Sequence, residues 1–164
     1  MRFYLVDRIE SIQPGRQIVT SKALSLAEEY LADHFPAFPV LPGVLMLEAL
    51  VQSAAWLVRV EQDFAKSVIE LRRARNVRYA SFVAPGQTLR CQAEAVSIGP
   101  DAAEFKAVGE VDGRQAVSAR LELRCLNLAE ADPRQAATDA QIVAQMKEAF
   151  RLIGGPEALA AAKC

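Results

Sequence analysis

The stretch DHFPAFPVLPGVLMLEALVQSAAWLV, residues 33–58, determines the fold of this chain. From Val44 to about Glu61, three residues beyond the quoted stretch, the chain contains no proline or glycine, and apolar residues occupy nearly every side of a helical wheel. A helix that is apolar all round is buried in a protein core, whereas a surface helix is apolar on one face only. The stretch therefore predicts one long core helix, preceded by a proline-rich loop that holds the only histidine of the chain.

The segments around this helix have the patterns of antiparallel strands. FYLVDRIESI and RQIVTSKALS flank a Pro-Gly turn at residues 14–15 and predict a first hairpin. SVIELRRARNVRYASFV and TLRCQAEAVSI are separated by a second Pro-Gly turn, and AEFKAVGEV and RQAVSARLELRCL flank Asp112-Gly113, a strong hairpin signal. The predicted fold class is α+β, with a curved antiparallel β-sheet wrapped round one long central α-helix.

Beyond Leu128 the pattern changes to that of an added C-terminal helix. Asp132-Pro133 can open this helix and Gly154-Gly155 can end it. The apolar residues at helical spacing between them are Ile142, Val143, Met146, Phe150 and Ile153. We expect a domain of residues 1–126 and a C-terminal helical extension of residues 127–164, whose apolar stripe is buried on the sheet.

Composition narrows the class of protein. With 164 residues, of which 52% are hydrophobic, the chain can bury a full core without disulfides or metal. A net charge of -1 argues against nucleic-acid binding. Cys91, Cys125 and Cys164 lie far apart without a C-x-x-C pair, which favours free thiols in a reducing compartment. Neither a signal peptide nor a membrane-spanning run is evident, so we expect a cytoplasmic protein without membrane insertion.

Glu48 is a lone carboxylate in the apolar helix. Without a partner, its burial costs several kcal/mol or forces the group to keep its proton. It could reach the helix edge, pair with a buried arginine, or serve as an acid. Gln52, one turn later, either orients the Glu48 carboxylate through its amide or is ordinary helix polarity.

The start of the helix offers a second chemical feature. The backbone N–H groups of Gly43 and Val44 lie at the positive end of the helix, where they can polarise a carbonyl. His34 precedes them in a loop, and is either a base or an ordinary surface histidine. Three prolines stiffen that loop: Pro36, Pro39 and Pro42. A base, an acid and a carbonyl-binding helix end are thus expected in one small region.

These residues resemble a known signature. The pattern H-F-P-x-x-P-x-x-P-G-V-L-x-x-E-A-x-x-Q, from His34 to Gln52, is similar to that of the FabZ-type hydroxyacyl-acyl carrier protein dehydratases of the hotdog-fold FabA/FabZ family. FYLVDRI, VAPGQTL and VDGRQAVSARLEL also resemble this family, so the resemblance covers roughly residues 1–126. It implies the same helix wrapped by a curved sheet that the pattern predicts.

The resemblance also implies an activity, the conversion of (3R)-3-hydroxyacyl thioesters to trans-2-enoyl thioesters and water in fatty acid or related acyl-chain biosynthesis. His34 would remove the C2 proton, and Glu48 would protonate the departing hydroxyl. The Gly43 N–H, with that of Val44 beside it, would hold the thioester carbonyl. A histidine base must be neutral, whereas apolar burial raises a carboxyl pKa and favours the protonated acid.

The same resemblance implies partners. The substrate would be carried on the phosphopantetheine of acyl carrier protein or on coenzyme A, with no cofactor and no metal. The family's unit is a homodimer, either alone or as part of a trimer of dimers, with His34 and Glu48 meeting across the subunit interface. Four arginines could attract the acidic carrier protein, or could form an ordinary solvated strand face: Arg72, Arg73, Arg75 and Arg78.

Two positions depart from the family pattern. Ala37 and Phe38 stand where relatives commonly have a glycine and often a histidine, which leaves the shape of the pocket open. Glutamate at position 48, where related dehydratase-isomerases have aspartate, favours dehydration without isomerisation. A hotdog thioesterase and a catalytically inactive acyl-binding or scaffold homologue are the alternatives. The extension could pack across the dimer, cover the acyl channel, or dock a partner.

Overall fold

A computed structural model describes residues 4–162 of the chain. Its six strands are β1 (Arg8–Gln13), β2 (Gln17–Ala23), β3 (Val68–Tyr79), β4 (Thr88–Ile98), β5 (Ala102–Val111) and β6 (Arg114–Leu126). Its α-helices are α1 (Gly43–Glu61), α2 (Ala136–Leu152) and α3 (Gly155–Ala161). Single turns of 3-10 helix occupy Glu29–Ala32, Leu128–Glu130 and Pro133–Gln135.

The strands form one antiparallel sheet in the order β1-β2-β4-β5-β6-β3. Helix α1 packs against β2, β3, β4, β5 and β6, so the sheet wraps round it. The predicted α+β architecture is confirmed. The first strand begins at Arg8, later than the predicted segment, whose first residue, Phe3, lies outside the described residues.

The hairpin between β5 and β6 follows directly from its two turn residues. Asp112 and Gly113 have φ values of 51° and 73°, both in the left-handed region that a two-residue type I′ turn requires. On β5, Ala103, Phe105 and Ala107 alternate with exposed residues, as in a strand with one face on the core. The predicted Asp-Gly hairpin is thus confirmed.

Helix α1 is fully buried only in its second part. Leu50, Ala54 and Leu57 are inaccessible to solvent, whereas Val44 is 69% exposed and Glu48 is half-buried. The prediction of burial on every side is therefore wrong for the first turns of α1. With 19 residues and a mean hydropathy of 1.4, α1 could cross a membrane by length and composition, but 61% of this stretch is buried as a core helix.

The predicted C-terminal helix is present as α2, and the extension packs both on α1 and on the sheet. Phe150 is buried, and its ring centroid lies 5.9 Å from that of Trp56 and 5.6 Å from that of Phe64. At the sheet, the Ile9 N–H of β1 donates to the Ile153 carbonyl at 2.8 Å, and α3 packs against β1. Gly155 allows the Phe150 ring to pack closely against the backbone, since a Cβ at this position would lie 2.3 Å from the ring.

The buried carboxylate of Asp139 links α2 to the rest of the chain through hydrogen bonds. Asp139 is 8% exposed and accepts hydrogen bonds from the Ser67 hydroxyl and from the N–H groups of Leu128 and Ala129, the latter two at 2.9 Å. Desolvation would raise the pKa of this carboxyl, but the three hydrogen bonds outweigh it and hold the pKa below its ordinary value of 3.8. The ionised form is thus the one that the fold stabilises.

Asp139→Asn should destabilise the protein at neutral pH, because the amide cannot accept all three hydrogen bonds. A carboxyl whose pKa is depressed in the fold contributes stability above its unfolded pKa and loses it as the pH falls through the folded pKa. The difference in the free energy of unfolding between wild type and variant should therefore become smaller below about pH 4. Urea midpoints at neutral pH and at about pH 3 measure the gap, and the exposed Asp63→Asn is the control. An equal gap at both pH values would refute this role.

Two of the three cysteines are free and buried, as predicted. They are Cys91 on β4 and Cys125 on β6, whereas Cys164 lies outside the described residues. Burial raises the pKa of the Cys91 thiol to about 12, so this thiol stays protonated. Both cysteines behave as small apolar core residues.

Candidate active site

His34 opens into a cavity of about 250 Å³, which we call the His34 cavity. It lies where the loop of residues 33–42 meets the start of α1 and the end of β3. Its lining residues are His34, Val40, Leu41, Gly43, Met46, Tyr79, Ala80, Ser81 and Phe82. Two of the predicted site residues, His34 and Gly43 at the start of α1, therefore line the same cavity.

The loop holds His34 through backbone contacts. The Val40 N–H donates to the His34 carbonyl at 3.4 Å, and Nδ1 of His34 lies 3.4 Å from the Val40 carbonyl oxygen. The Leu41 N–H donates to Val83 at 2.9 Å and ties the loop to the segment after β3. Among the three predicted stiffening prolines, Pro36 is exposed, Pro39 is half-buried, and Pro42 caps α1.

The start of α1 keeps two donors free. The N–H groups of Leu45 and Met46 both donate to the Pro42 carbonyl, whereas those of Gly43 and Val44 have no acceptor within residues 4–162. No side chain caps this end, and its first turn has no acidic residue. The positive end of the helix is therefore uncompensated, and Gly43 brings it to the wall of the His34 cavity.

Tyr79 is a site residue that the sequence analysis missed. A Cβ on Gly43 would lie 3.2 Å from Cε1 of Tyr79, so the glycine is what allows this ring to lie against the helix start. Phe82, which also lines the cavity, contacts Phe38 edge to face with centroids 5.9 Å apart. Only an aromatic residue at the end of a predicted strand pointed to Tyr79, and that signal is too common to single it out.

Glu48 is oriented by Gln52, whose amide is in turn fixed by the main chain. Nε2 of Gln52 donates to Oε1 of Glu48 at 2.9 Å, and the Leu5 N–H donates to Oε1 of Gln52 at 2.9 Å. Since Leu5 supplies a donor, the amide oxygen must face it and the amide NH₂ must face the carboxylate. Of the two interpretations of Gln52, this geometry favours the orienting one.

The single chain does not bring His34 and Glu48 into one cavity. Glu48 is not among the residues that line the His34 cavity. Five residues after Gly43, it lies about 7.5 Å along the helix and about 140° round it. Within one subunit the His34 cavity thus holds the histidine and the helix start without the carboxylate, and the meeting of His34 and Glu48 across a subunit interface remains a prediction.

The four predicted arginines lie outside the His34 cavity, on β3. Arg72, Arg73 and Arg75 are more than half exposed and surround Glu122 of β6 at 3.0, 4.0 and 3.7 Å. Arg78 directly precedes Tyr79, a wall of the cavity. A hollow on this face of the sheet is lined by four cations, Arg73, Arg75, Lys106 and Arg120, and by Glu104 and Glu122. We call Arg72, Arg73, Arg75 and Arg78 the arginine patch.

Metal ligands do not gather in the described part of the chain. Within residues 4–162, no group of three or more His, Cys, Asp or Glu side chains could hold a metal ion.

A curved antiparallel sheet wrapped round one long helix is the hotdog fold. The chain resembles the dehydratase heterocomplex ApeI:P from Xenorhabdus doucetiae with a TM-score of 0.66 and 19% identity, over 81% of this chain and 90% of the other. At this identity the likeness concerns the fold alone.

The family follows from the sequence comparisons. Residues 1–120 match the model of the FabA-like domain. The chain is 32% identical to a 3-hydroxyacyl-[acyl-carrier-protein] dehydratase FabZ of Wolbachia pipientis wMel, over 73% of this chain and 83% of that protein. It is 34% identical to FabZ of Janthinobacterium sp. (strain Marseille), over 79% and 85%. The chain belongs to the FabA-like family, and the resemblance seen in its sequence is confirmed.

Proposed function

We propose that this protein removes water from (3R)-3-hydroxyacyl groups carried by acyl carrier protein, giving trans-2-enoyl thioesters. Family membership supports the reaction class. The observation that carries the proposal is that the chain's only histidine and the uncompensated start of α1 at Gly43 line the same cavity. A thioester carbonyl bound there lies beside both a base and a donor of hydrogen bonds.

The proposed reaction begins at the His34 cavity. The Gly43 N–H donates to the thioester carbonyl, which stabilises the enolate character that develops when the C2–H bond breaks. His34 accepts the C2 proton. If Nδ1–H donates to the Val40 carbonyl, 3.4 Å away, the lone pair of Nε2 is free to act as the base.

Glu48 completes the reaction as the acid. It gives a proton to the C3 hydroxyl as the C3–O bond breaks, so that water leaves and the C2–C3 double bond forms. Gln52 holds the carboxyl in place through the 2.9 Å hydrogen bond to Oε1. The proton on His34 then returns to Glu48 through solvent, and no cofactor is needed for the balance.

The proposed active unit is a homodimer in which His34 of one subunit meets Glu48 of the other. Glu48 does not reach the His34 cavity of its own chain. Among the strands of residues 4–162, β3 lies at the end of the sheet and pairs with β6 alone, so its twelve-residue outer edge can pair with a second copy. Five large apolar residues that line the His34 cavity, contact its lining or adjoin it in the chain are each at least 49% exposed: Phe35, Phe38, Val44, Tyr79 and Phe82.

The proposal is tested by hydration of crotonyl-acyl carrier protein, followed as the loss of enoyl absorbance. The wild-type protein should hydrate the double bond and leave the thioester intact. Release of free thiol without hydration would indicate a thioesterase. No reaction of either kind in a folded dimer would favour a catalytically inactive acyl-binding or scaffold homologue.

We also propose that the arginine patch docks the acidic carrier protein. Arg78 supports this proposal, since it adjoins Tyr79 at the cavity and has no ion-pair partner within the described chain. Arg78→Ala should raise KM several-fold for a carrier-bound substrate, with little change for the pantetheine thioester. The effect should fade at high salt. Arg90→Ala, an exposed arginine on β4, is the control. Equal changes for both substrates would contradict docking.

The division of the chain into residues 1–126 and 127–164 remains our proposal. It is supported by the end of the last strand at Leu126 and by the family match to residue 120. A cytoplasmic location likewise remains a prediction.

A further inference from the structure

A second cavity, of about 200 Å³, lies between α1, α2 and the N-terminal segment, and we call it the Arg59 cavity. Its lining residues are Tyr4, Val6, Gln52, Ala55, Trp56, Arg59, Ile69, Met146, Ala149 and Ile153. All but a few of these side chains are apolar. The C-terminal extension supplies one wall, so the cavity depends on the part of the chain beyond the family match.

The Arg59 cavity begins beside the proposed acid. Gln52 lines the cavity and also donates to Glu48 at 2.9 Å. From Gln52 the wall continues along one face of α1 through Ala55 and Trp56 to Arg59, the i, i+3, i+4, i+7 spacing of a helical face. Its length along the helix axis is about 10.5 Å. A chain that starts at Glu48 can therefore extend to Arg59.

Arg59 is an unusual end for an apolar cavity. It is 8% exposed, and its Nη1 donates to the carbonyls of Lys66 and Ser67 at 3.2 and 3.3 Å. Within residues 4–162 no carboxylate lies within ion-pair distance of it, and its remaining N–H groups have no hydrogen-bond acceptor there. Burial lowers the pKa of the guanidinium to about 10.

A buried cation without an anion is costly, and the proposed dehydration gives Arg59 no task. The two carbonyls hold Nη1, and the Trp56 ring lies under the guanidinium with its centroid 6.0 Å from Cζ, which leaves the N–H groups of Nη2 and Nε for a ligand. A guanidinium with free N–H groups binds a carboxylate in preference to a neutral group. Arg59 therefore has the chemistry of a receptor for an anionic group at the end of an apolar chain.

We infer that the Arg59 cavity binds the distal part of the acyl chain and that Arg59 binds a carboxylate at its end. The substrate class is then ω-carboxylated 3-hydroxyacyl thioesters. This inference rests on the proposed function for the identity of the reacting end, but it makes a separate statement about binding.

The test measures binding without turnover. Sebacyl-pantetheine and decanoyl-pantetheine have chains of the same carbon count, one ending in a carboxylate and one in a methyl group, and neither has a double bond to hydrate. By calorimetry, the wild-type protein should bind the sebacyl thioester about tenfold more tightly or better. Equal affinities, or tighter binding of the decanoyl thioester, would overturn the inference.

Three variants assign the effect to Arg59. Arg59→Met should abolish the preference for the sebacyl thioester and leave decanoyl binding within about twofold. Arg59→Lys keeps the cation and should retain part of the preference, whereas Arg90→Met changes an exposed arginine and should retain all of it. If the Met and Lys variants lose both ligands equally and melt at lower temperature, Arg59 is structural and the inference fails.

Hydration of trans-2-decenoyl-acyl carrier protein separates this inference from the proposed function. Hydration by a wild-type protein that shows no carboxylate preference would overturn the inference and leave the proposed function in place. A preference for the carboxylate without any hydration would support the inference and contradict the proposed function. The Arg59 cavity would then belong to an acyl-binding protein.

Discussion

Glu48→Gln should lower kcat for dehydration by a factor of about 10² to 10⁴, and His34→Ala should lower it by a similar factor. Each substitution removes one of the two proposed proton-transfer groups and changes little else. Glu48 is half-buried, and its contact in the described chain is with Gln52, to which a glutamine can still hydrogen-bond. The side chain of His34 lies 3.4 Å from the Val40 carbonyl, and its ring centroid lies 4.2 Å from that of the exposed Phe35. The fold should survive both changes.

Steady-state rates with 3-hydroxydecanoyl-acyl carrier protein, together with circular dichroism and light scattering, separate chemistry from folding. Glu61→Gln provides the matched control, because Glu61 is an exposed glutamate at the far end of the same helix. Its rate should equal that of the wild type. A Glu48→Gln dimer that retains most of its activity would remove Glu48 from the role of acid.

Phe150→Ala should destabilise the protein by about 3 kcal/mol, in the range for truncation of a buried phenylalanine. Phe150 is 7% exposed and joins α2 to Trp56 and Phe64. Its loss leaves a cavity at the aromatic contact between the extension and α1. Because Trp56 is the only tryptophan of the chain, urea unfolding followed by its fluorescence reports on this contact directly.

Leu152→Ala is the control for this effect. Leu152 lies two residues further on in α2 but is 72% exposed, so its truncation should change stability by no more than about 0.5 kcal/mol. If Phe150→Ala matched Leu152→Ala in stability and left the emission of Trp56 unchanged, the extension would not be seated on α1 as described.

The elements that the sequence predicted correctly depend on local signals. The apolar wheel of α1 excluded a surface helix, and Asp112-Gly113 supplied the two left-handed residues that a tight hairpin needs. The signature from His34 to Gln52 gave both candidate residues and the family, because its prolines, glycine and charged residues have fixed spacing. These signals extend over a few residues and require no knowledge of distant contacts.

The features that the sequence did not predict depend on contacts between distant segments. Phe150 had helical spacing, but nothing near it in the chain pointed to Trp56 as its partner. Tyr79 meets Gly43 only because the end of β3 returns to the start of α1. Arg59 lies in the last turn of α1, and the sequence around it gave no sign that α2 would form a wall of the same cavity. The partner that faces Glu48 would come from a second chain altogether.

The most direct test of a shared active site mixes the two inactive variants. Subunit exchange between His34→Ala and Glu48→Gln dimers gives mixed dimers in about half of the population, each with one intact His34–Glu48 pair. Activity should then return to about one quarter of the wild-type value. Proven exchange without any return of activity would contradict a site that uses His34 of one subunit and Glu48 of the other.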